Sequence, residues 1–356
     1  MNFELLKTLC ETPGIPSREE PIRQVVAESL RPLVDTLDVD AMGNLIGHRL
    51  GEDGGPRVMI AAHMDEIGFM VKHIDNRGFL KLLPVGGWDP RNLVSQRVFV
   101  HSRSGQRLPG VLMPGTKPPH LQTPEESNKA LKIEDMFVDL GLPGEKVKEL
   151  VEIGDMVTMD RTCTQMGDMV VSKTLDDRLM VFVMIEALRK LERRVPAHIF
   201  AVATTQEEVG LRGATTAAFA LEPDIGIALD VTLAVDFPGA PESEQVTRLG
   251  EGVAIKIVDS SLICHPKLVR HFRDVAEKRQ IKYQLEMLPR GGTDAGGIQR
   301  SRGGVPSFTL SVPVRYVHTV NEMAHVEDIQ GAIDLLAAYL EEAHTRHYDY
   351  RDELNR

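Results

Sequence analysis

The sequence predicts an α/β fold, a sheet covered by helices on both faces and interrupted by a small β-rich insertion. Helical and strand-like patterns alternate before residue 71 and again from 164 to the end. Several of the strands are short, continuous apolar runs, the pattern of strands buried on both faces. Residues 72–163 differ in texture: short β-like runs between turn clusters, with a proline-rich stretch at 113–124.

Residues 2–10 read as a short amphipathic helix. Ser17 and Glu20 make a capping-box pattern ahead of a second helix, in which Ile22, Val25, Val26 and Leu30 fall at helical spacing. Residues 37–40 and 44–47 read as two strands around a Met42-Gly43 turn. The apolar run 57–62 reads as a buried strand ending at His63. Inside the insertion, 97–101, 110–113 and 156–159 read as strands. After it come a helix at 176–191, a strand at 198–204, a helix at 213–220 and strands at 224–230 and 253–257. A helix at 266–280, strands at 283–287 and 306–311, and a closing helix at 326–344 complete the chain. No repeat of fixed period is present. The expected division is 1–71 plus 164–356 for the larger domain and 72–163 for the inserted one.

Composition narrows the function. The formal net charge of −11 argues against nucleic acid or an anionic membrane as a partner, since both attract basic patches. No apolar run approaches the ~20 residues of a membrane helix. The N-terminal stretch MNFELLKTLCETPG lacks the basic start and long apolar core of a signal peptide, so the cytoplasm is expected. The three cysteines, Cys10, Cys163 and Cys264, are far apart and form no CxxC pair. They read as small apolar residues in a reducing compartment, not as a disulfide framework or a thiolate metal site.

Ligands in α/β folds bind outside the carboxyl ends of the strands. Strand 57–62 runs into His63-Met64-Asp65-Glu66. In extended chain, residues i and i+2 share a face, so Asp65 is placed to orient a metal-binding His63 imidazole. Strand 198–204 runs into Glu207-Glu208, where one carboxylate can bind metal and the other take a proton. Strand 224–230 ends at Asp230; Asp176-Asp177 opens an apolar helix; His318 follows the strand-like segment 311–317. Each has a bland reading alone: a chance surface pair, a solvated loop, a helix cap, a structural histidine. Together they place two imidazoles and three carboxylates at the ends of several strands, an oxygen and nitrogen ligand set suited to zinc, cobalt or manganese. Three carboxylates against two divalent ions leave one positive charge, which favours hydroxide over water at such a centre.

These residues resemble a known family. His63-Met64-Asp65-Glu66-Ile67-Gly68, Leu175-Asp176-Asp177-Arg178, Glu207-Glu208-Val209-Gly210, Asp230 and Arg315-Tyr316-Val317-His318 are similar, in order and spacing, to the glutamyl and deblocking dinuclear metallo-aminopeptidases that form tetrahedral particles. Met42-Gly43-Asn44, Pro118-Pro119-His120, Gly292-Thr293-Asp294-Ala295 and Glu322-Met323-Ala324-His325 extend the match along nearly the whole chain. The resemblance implies a zinc-peptidase-like mixed sheet sandwiched by helices, with 72–163 as a β-rich lid or dimerisation domain. It implies two divalent ions, zinc or cobalt foremost and manganese as an alternative, held by His63, Asp176, Glu208, Asp230 and His318, with Asp176 bridging. It also implies a cis Asp176-Asp177 peptide, Asp65 orienting His63, Glu207 as general base and Asp294 beside the substrate's N-terminal residue. The Gly291–Gly297 run lacks the GxxxxGK pattern of a phosphate loop, and Asp294 would repel phosphate. Short peptides are the implied substrates, and a dodecamer the implied assembly.

Two other readings keep the fold. A related metal-dependent carboxypeptidase or deacylase would cleave blocked substrates in place of free N-termini. A non-catalytic binding protein would lack the base or a ligand, and this chain has all of them. Glucan hydrolysis would call for two carboxylates flanking a glycosidic bond, which the ligand set does not favour.

Overall fold

A computed structural model describes residues 1–350. The chain forms two compact units: Met1–Asp65, Thr162–Val317 and the chain from Asn321 make the larger, and Glu66–Arg161 with His318–Val320 make the smaller.

The chain opens with helices α1 (Phe3–Glu11) and α2 (Glu20–Leu30), then strands β1 (Thr36–Val39), β2 (Leu45–Arg49) and β3 (Arg57–His63). The smaller unit follows, with β4 (Gly68–Ile74), β5 (Leu80–Val85), β6 (Gln96–His101), β7 (Arg107–Pro114), α3 (Pro124–Ser127), β8 (Met136–Asp139), α4 (Gly144–Leu150) and β9 (Met156–Met159). The larger unit resumes with β10 (Thr164–Met166), β11 (Met169–Ser172), α5 (Leu175–Lys190), β12 (His198–Thr204), α6 (Arg212–Leu221) and β13 (Ile225–Leu233). It ends with β14 (Val253–Val258), α7 (Pro266–Arg279), β15 (Tyr283–Met287), α8 (Asp294–Gln299), β16 (Ser307–Arg315), β17 (Glu322–His325) and α9 (Val326–Glu342).

The larger unit is a mixed sheet in the order β1-β2-β12-β3-β13-β16-β17-β11-β10, with β14 pairing β16 and β15 pairing β14. Its centre is parallel: β12, β3, β13 and β16 run side by side in one direction. Both faces are covered, as the apolar runs predict. Val58, Ile60 and Ala62 of β3 pack into the core with Leu179, Val183, Phe272 and Leu336 from the helices. Met59 and Ala61 point the other way, onto Ala214, Ala217 and Ala218 of α6 and Ile298 of α8.

The smaller unit is a closed six-stranded barrel, β4-β5-β8-β7-β6-β9, with every pair of neighbouring strands antiparallel. Phe69, Val71, Leu82, Val98, Val100, Val138 and Val157 fill it, and Trp88 stacks on Phe69 with ring centroids 5.2 Å apart. Its first strand begins at Gly68, ahead of Lys72, because Phe69 and Val71 already alternate into this core.

Two sequence expectations change. Ser17 and Glu20 form no capping box: α2 starts at Glu20 with Glu19 at the N-cap and Pro21 in its first turn. Ser17 sits outside in a left-handed conformation, φ 70°, and its N–H donates to Glu19 Oε1 at 2.8 Å. Asp230 does not end its strand, since β13 continues to Leu233 in parallel register with β16.

Candidate metal centre

Parallel pairing aligns the reactive ends of the central strands. Thr204 of β12 is level with His63 of β3, and Asp230 of β13 is level with Ser311 of β16. Ala61 and Ala228 are level one pleat earlier, so His63 and Asp230 come level two residues on. Parallel strands keep their side-chain alternation in phase, which puts Thr204, His63, Asp230 and Ser311 in one row on one face. All four are buried.

The start of α5 supplies two more carboxylates. Asp176 and Asp177 are joined by a cis peptide, and neither has helical φ and ψ. They therefore stand clear of the helix proper, and the segment is held from both sides. The Asp176 N–H donates to Glu322 Oε2 at 2.9 Å. Buried Arg178 donates through Nη1 to the Leu9 and Thr12 carbonyls, at 2.6 and 2.8 Å. Here a buried arginine satisfies the open carbonyls at the end of α1 and ties them to the start of α5.

His63, Asp176, Asp177 and Asp230 bring one ligand atom each within 4.8 Å of one another, and Asp176 and Glu208 do the same. His63 Nε2 lies 3.1 Å from Asp176 Oδ1 and 3.9 Å from Glu207 Oε2. Its Nδ1 lies 3.1 Å from the Asp65 backbone carbonyl, and the Asp65 carboxylate is further off at 3.7 Å. The imidazole thus meets the Asp65 main chain more closely than the carboxylate to which the i, i+2 spacing pointed. The chain leaves β3 at His63, and the shared-face rule ends with the strand.

The Asp65 carboxylate serves the loop after β12 instead. It accepts the N–H of Glu207 at 3.1 Å on one oxygen and that of Glu208 at 3.2 Å on the other. Asn44 Oδ1 accepts the Thr205 N–H at 3.0 Å. Glu19 Oε1 accepts the Gln206 N–H at 3.2 Å. Four consecutive amides, 205–208, are thus held by three buried side chains from three distant segments. Asn44 is itself fixed, donating to Asp40 Oδ2 at 2.7 Å and to the Gly213 carbonyl at 3.0 Å.

The electrostatics are those of a crowded acid cluster. Burial pushes the carboxyls of Asp177, Glu207 and Asp230 well above the usual range; Asp230 adds to this for Asp177 and Asp176 adds to it for Asp230. Burial works against a charged His63, but its hydrogen bond to Asp176 and the charges of Glu207, Asp177 and Asp65 hold the imidazole well above its ordinary value. Burial beside Asp65 pushes Glu19 up to about 7. Asp177 Oδ2 accepts the His63 backbone N–H at 3.1 Å, while its buried Oδ1 has no hydrogen-bond partner among the described residues. Packed carboxylates with one imidazole and an unpartnered oxygen fit divalent cations, because a cation removes the like-charge cost that the fold otherwise bears. The donors are oxygen and nitrogen only, as zinc, cobalt and manganese accept.

Of the residues singled out in the sequence, His63, Asp176 and Asp230 come together, with Glu208 beside Asp176 and Glu207 beside His63. Asp294 opens α8 and is buried; its Oδ2 accepts the Thr204 hydroxyl at 2.5 Å, and its Oδ1 has no partner among the described residues. Burial pushes it up to about 6. His318 follows β16 in a left-handed conformation, φ 61°, within the segment that belongs to the smaller unit. There it lies so close to Gly87 that a Cβ on the glycine would come within 3.2 Å of His318 Nδ1. Asp177 is the cluster member for which the sequence suggested no ligand role. Its one signal was a second aspartate that capping did not need.

Known proteins share this architecture. The lysyl aminopeptidase of Pyrococcus furiosus is 38% identical over 349 residues, covering 96% of this chain and 97% of its own. An aminopeptidase from the archaeon Desulfurococcus kamchatkensis has a solved structure that superposes with a TM-score of 0.91 at 41% identity, covering 95% of this chain and 94% of its own. The Pyrococcus horikoshii TET1 peptidase, described as able to assemble into a tetrahedron or a large octahedral shell, has a TM-score of 0.85 at 34% identity, covering 96% of this chain and 99% of its own. A sequence model of the M42 glutamyl aminopeptidases matches residues 43–335, and with these likenesses across nearly its full length the chain belongs to that family of peptide-bond hydrolases.

Proposed function

We propose that this aminopeptidase works with two divalent ions, which His63, Asp176, Glu208, Asp230 and His318 would hold, with Asp176 as the ligand common to both. His63 and Asp230 would complete one site, and Glu208 and His318 the other. The observation that carries this reading is the meeting of His63 and Asp230, on neighbouring parallel strands, with Asp176, their donor atoms within 4.8 Å of one another. Zinc or cobalt suits this donor set best, with manganese an alternative. Ions bound there would polarise the scissile carbonyl and make water a stronger acid.

The chain's own residues do the rest. Glu207 is the general base: it takes a proton from the attacking water and passes it to the leaving amine. Burial raises its carboxyl well above the usual range, which suits a group that must both accept and return a proton. Asp65 sets the direction of Glu207 and Glu208 by holding their amides. Asp294 would meet the substrate's N-terminal residue; its second oxygen, unpartnered among the described residues while the first accepts from Thr204, supports this.

Substrates are short peptides, the assembly is a homo-oligomer of the dodecameric kind its TET relatives form, and the barrel serves as a lid or dimerisation domain. The protein acts in the cytoplasm. No helix among the described residues is long and apolar enough to cross a membrane.

The decisive experiment is Glu207→Gln assayed on a panel of free and N-blocked aminoacyl substrates. We expect turnover to fall by about 10²–10⁴-fold while metal content stays at the wild-type ratio. Undiminished turnover would remove Glu207 from the mechanism. Cleavage of blocked substrates alone by the wild type would favour the carboxypeptidase or deacylase reading.

A further inference from the structure

The reaction as described makes no use of Glu19, a buried carboxylate 188 residues before the base in sequence. It lies at the N-cap of α2 but caps nothing with its side chain. Its Oε1 instead accepts two amides, Ser17 N–H at 2.8 Å and Gln206 N–H at 3.2 Å. Both donors have left-handed backbone, φ 70° at Ser17 and φ 56° at Gln206. Neither is glycine, so each conformation costs energy and persists only where its surroundings fix it.

Gln206 is the residue at which the chain turns between β12 and Glu207. Its neighbours' amides are held by Asn44 on one side and Asp65 on the other. Without Glu19, Gln206 would be the unheld amide in this run and also its strained residue. Relaxing it to right-handed backbone would redirect Glu207, and Glu208 after it.

We propose that Glu19 is a positioning residue for hydrolysis: its carboxylate holds Gln206 in the left-handed turn that aims Glu207 at the substrate and Glu208 at its ligand position. The inference rests on the reading of Glu207 as the base. Glu19 touches no reacting atom in this scheme. Its contribution is to the placement of a group whose displacement by about 1 Å costs roughly 10²-fold in rate.

The test uses Glu19→Ala and Glu19→Gln in the full-length, metal-loaded enzyme, beside Glu207→Gln. Assays run at a temperature where circular dichroism shows every variant folded. Glutamine keeps an acceptor oxygen at the same reach. We expect Glu19→Ala to lower kcat by roughly 10–100-fold with KM within about twofold. We expect Glu19→Gln to recover kcat to within about threefold, and metal titration to show weaker retention of one of the two ions in Glu19→Ala only. Wild-type kcat in Glu19→Ala overturns the assignment and leaves the base intact. So does a Glu19→Gln kcat more than roughly tenfold below the wild type, a result that also decides the matter should Glu19→Ala not fold. Full turnover in Glu207→Gln would instead sink the underlying reading.

Discussion

The larger unit buries two charge clusters, and they are built on opposite plans. Around Lys256 the fold places an ammonium among acids. Lys256 is fully buried, hydrogen-bonded to Glu286 and 3.9 Å from Asp259. Thr232 donates to Glu286 at 2.7 Å, and Asp259 accepts the Ser261 and Leu262 amides at 2.7 and 2.8 Å. Burial would lower the lysine's pKa, but Glu286, Asp259 and more distant Asp230 hold it above the ordinary amine value. Around His63 the fold gathers Asp176, Asp177, Asp230 and Glu207 with a single imidazole, and burial drives the acids up. A buried acid cluster that carries its own lysine is complete. One that lacks it is waiting for a cation from outside.

The contrast breaks most visibly at the lysine. Lys256→Met leaves Glu286 and Asp259 buried without their counter-charge, and we expect a loss of about 3–5 kcal/mol in denaturant unfolding. A loss below about 1 kcal/mol would show that the pair is not the anchor its burial suggests.

His271 sharpens the comparison as a buried base with no carboxylate bonded to it. It is hydrogen-bonded to the Tyr348 hydroxyl and packed edge-on against Tyr339, and burial lowers it to about 4. The folded value lies below the unfolded value of about 6.5, so between these limits the unfolded chain binds more protons. Stability from neutral His271 is therefore complete above about pH 6.5 and lost as pH falls towards 4, by up to about 3 kcal/mol. His271→Phe should flatten that part of the stability–pH curve; an unchanged slope would assign the acid sensitivity elsewhere.

The smallest effect has the opposite sign. In protein stripped with a chelator, Asp230→Asn removes one of several buried like charges and should raise stability by on the order of 1 kcal/mol. With metal restored the same variant should bind it less well and gain less in thermal midpoint than the wild type. A variant destabilised to the same degree in both states would make Asp230 merely structural.

Much of this was legible in the sequence for a simple reason. A parallel strand buried on both faces must be apolar along its length, as 57–62 and 198–204 are, so a charged residue at its end stands out. The α/β alternation and the textural change of the insertion were visible on the same grounds. Readings failed where the chain departs from regular geometry. Asp65 lies past the end of β3, so its carboxylate bonds the amides of the 205–208 loop and comes only within 3.7 Å of the imidazole. Ser17 adopts a left-handed backbone that no capping box uses. The contacts from Asn44 to Thr205 and from Glu19 to Gln206 join segments 161 and 187 residues apart, and no local pattern announces them.

The held loop has a further consequence in time. Segments that join strands usually exchange their amide hydrogens quickly, because their donors face water. Here the four amides of 205–208 donate to Asn44, Glu19 and Asp65, all buried. Each can exchange only when its own buried acceptor lets go, so this loop should keep its hydrogens about as long as the strand that leads into it.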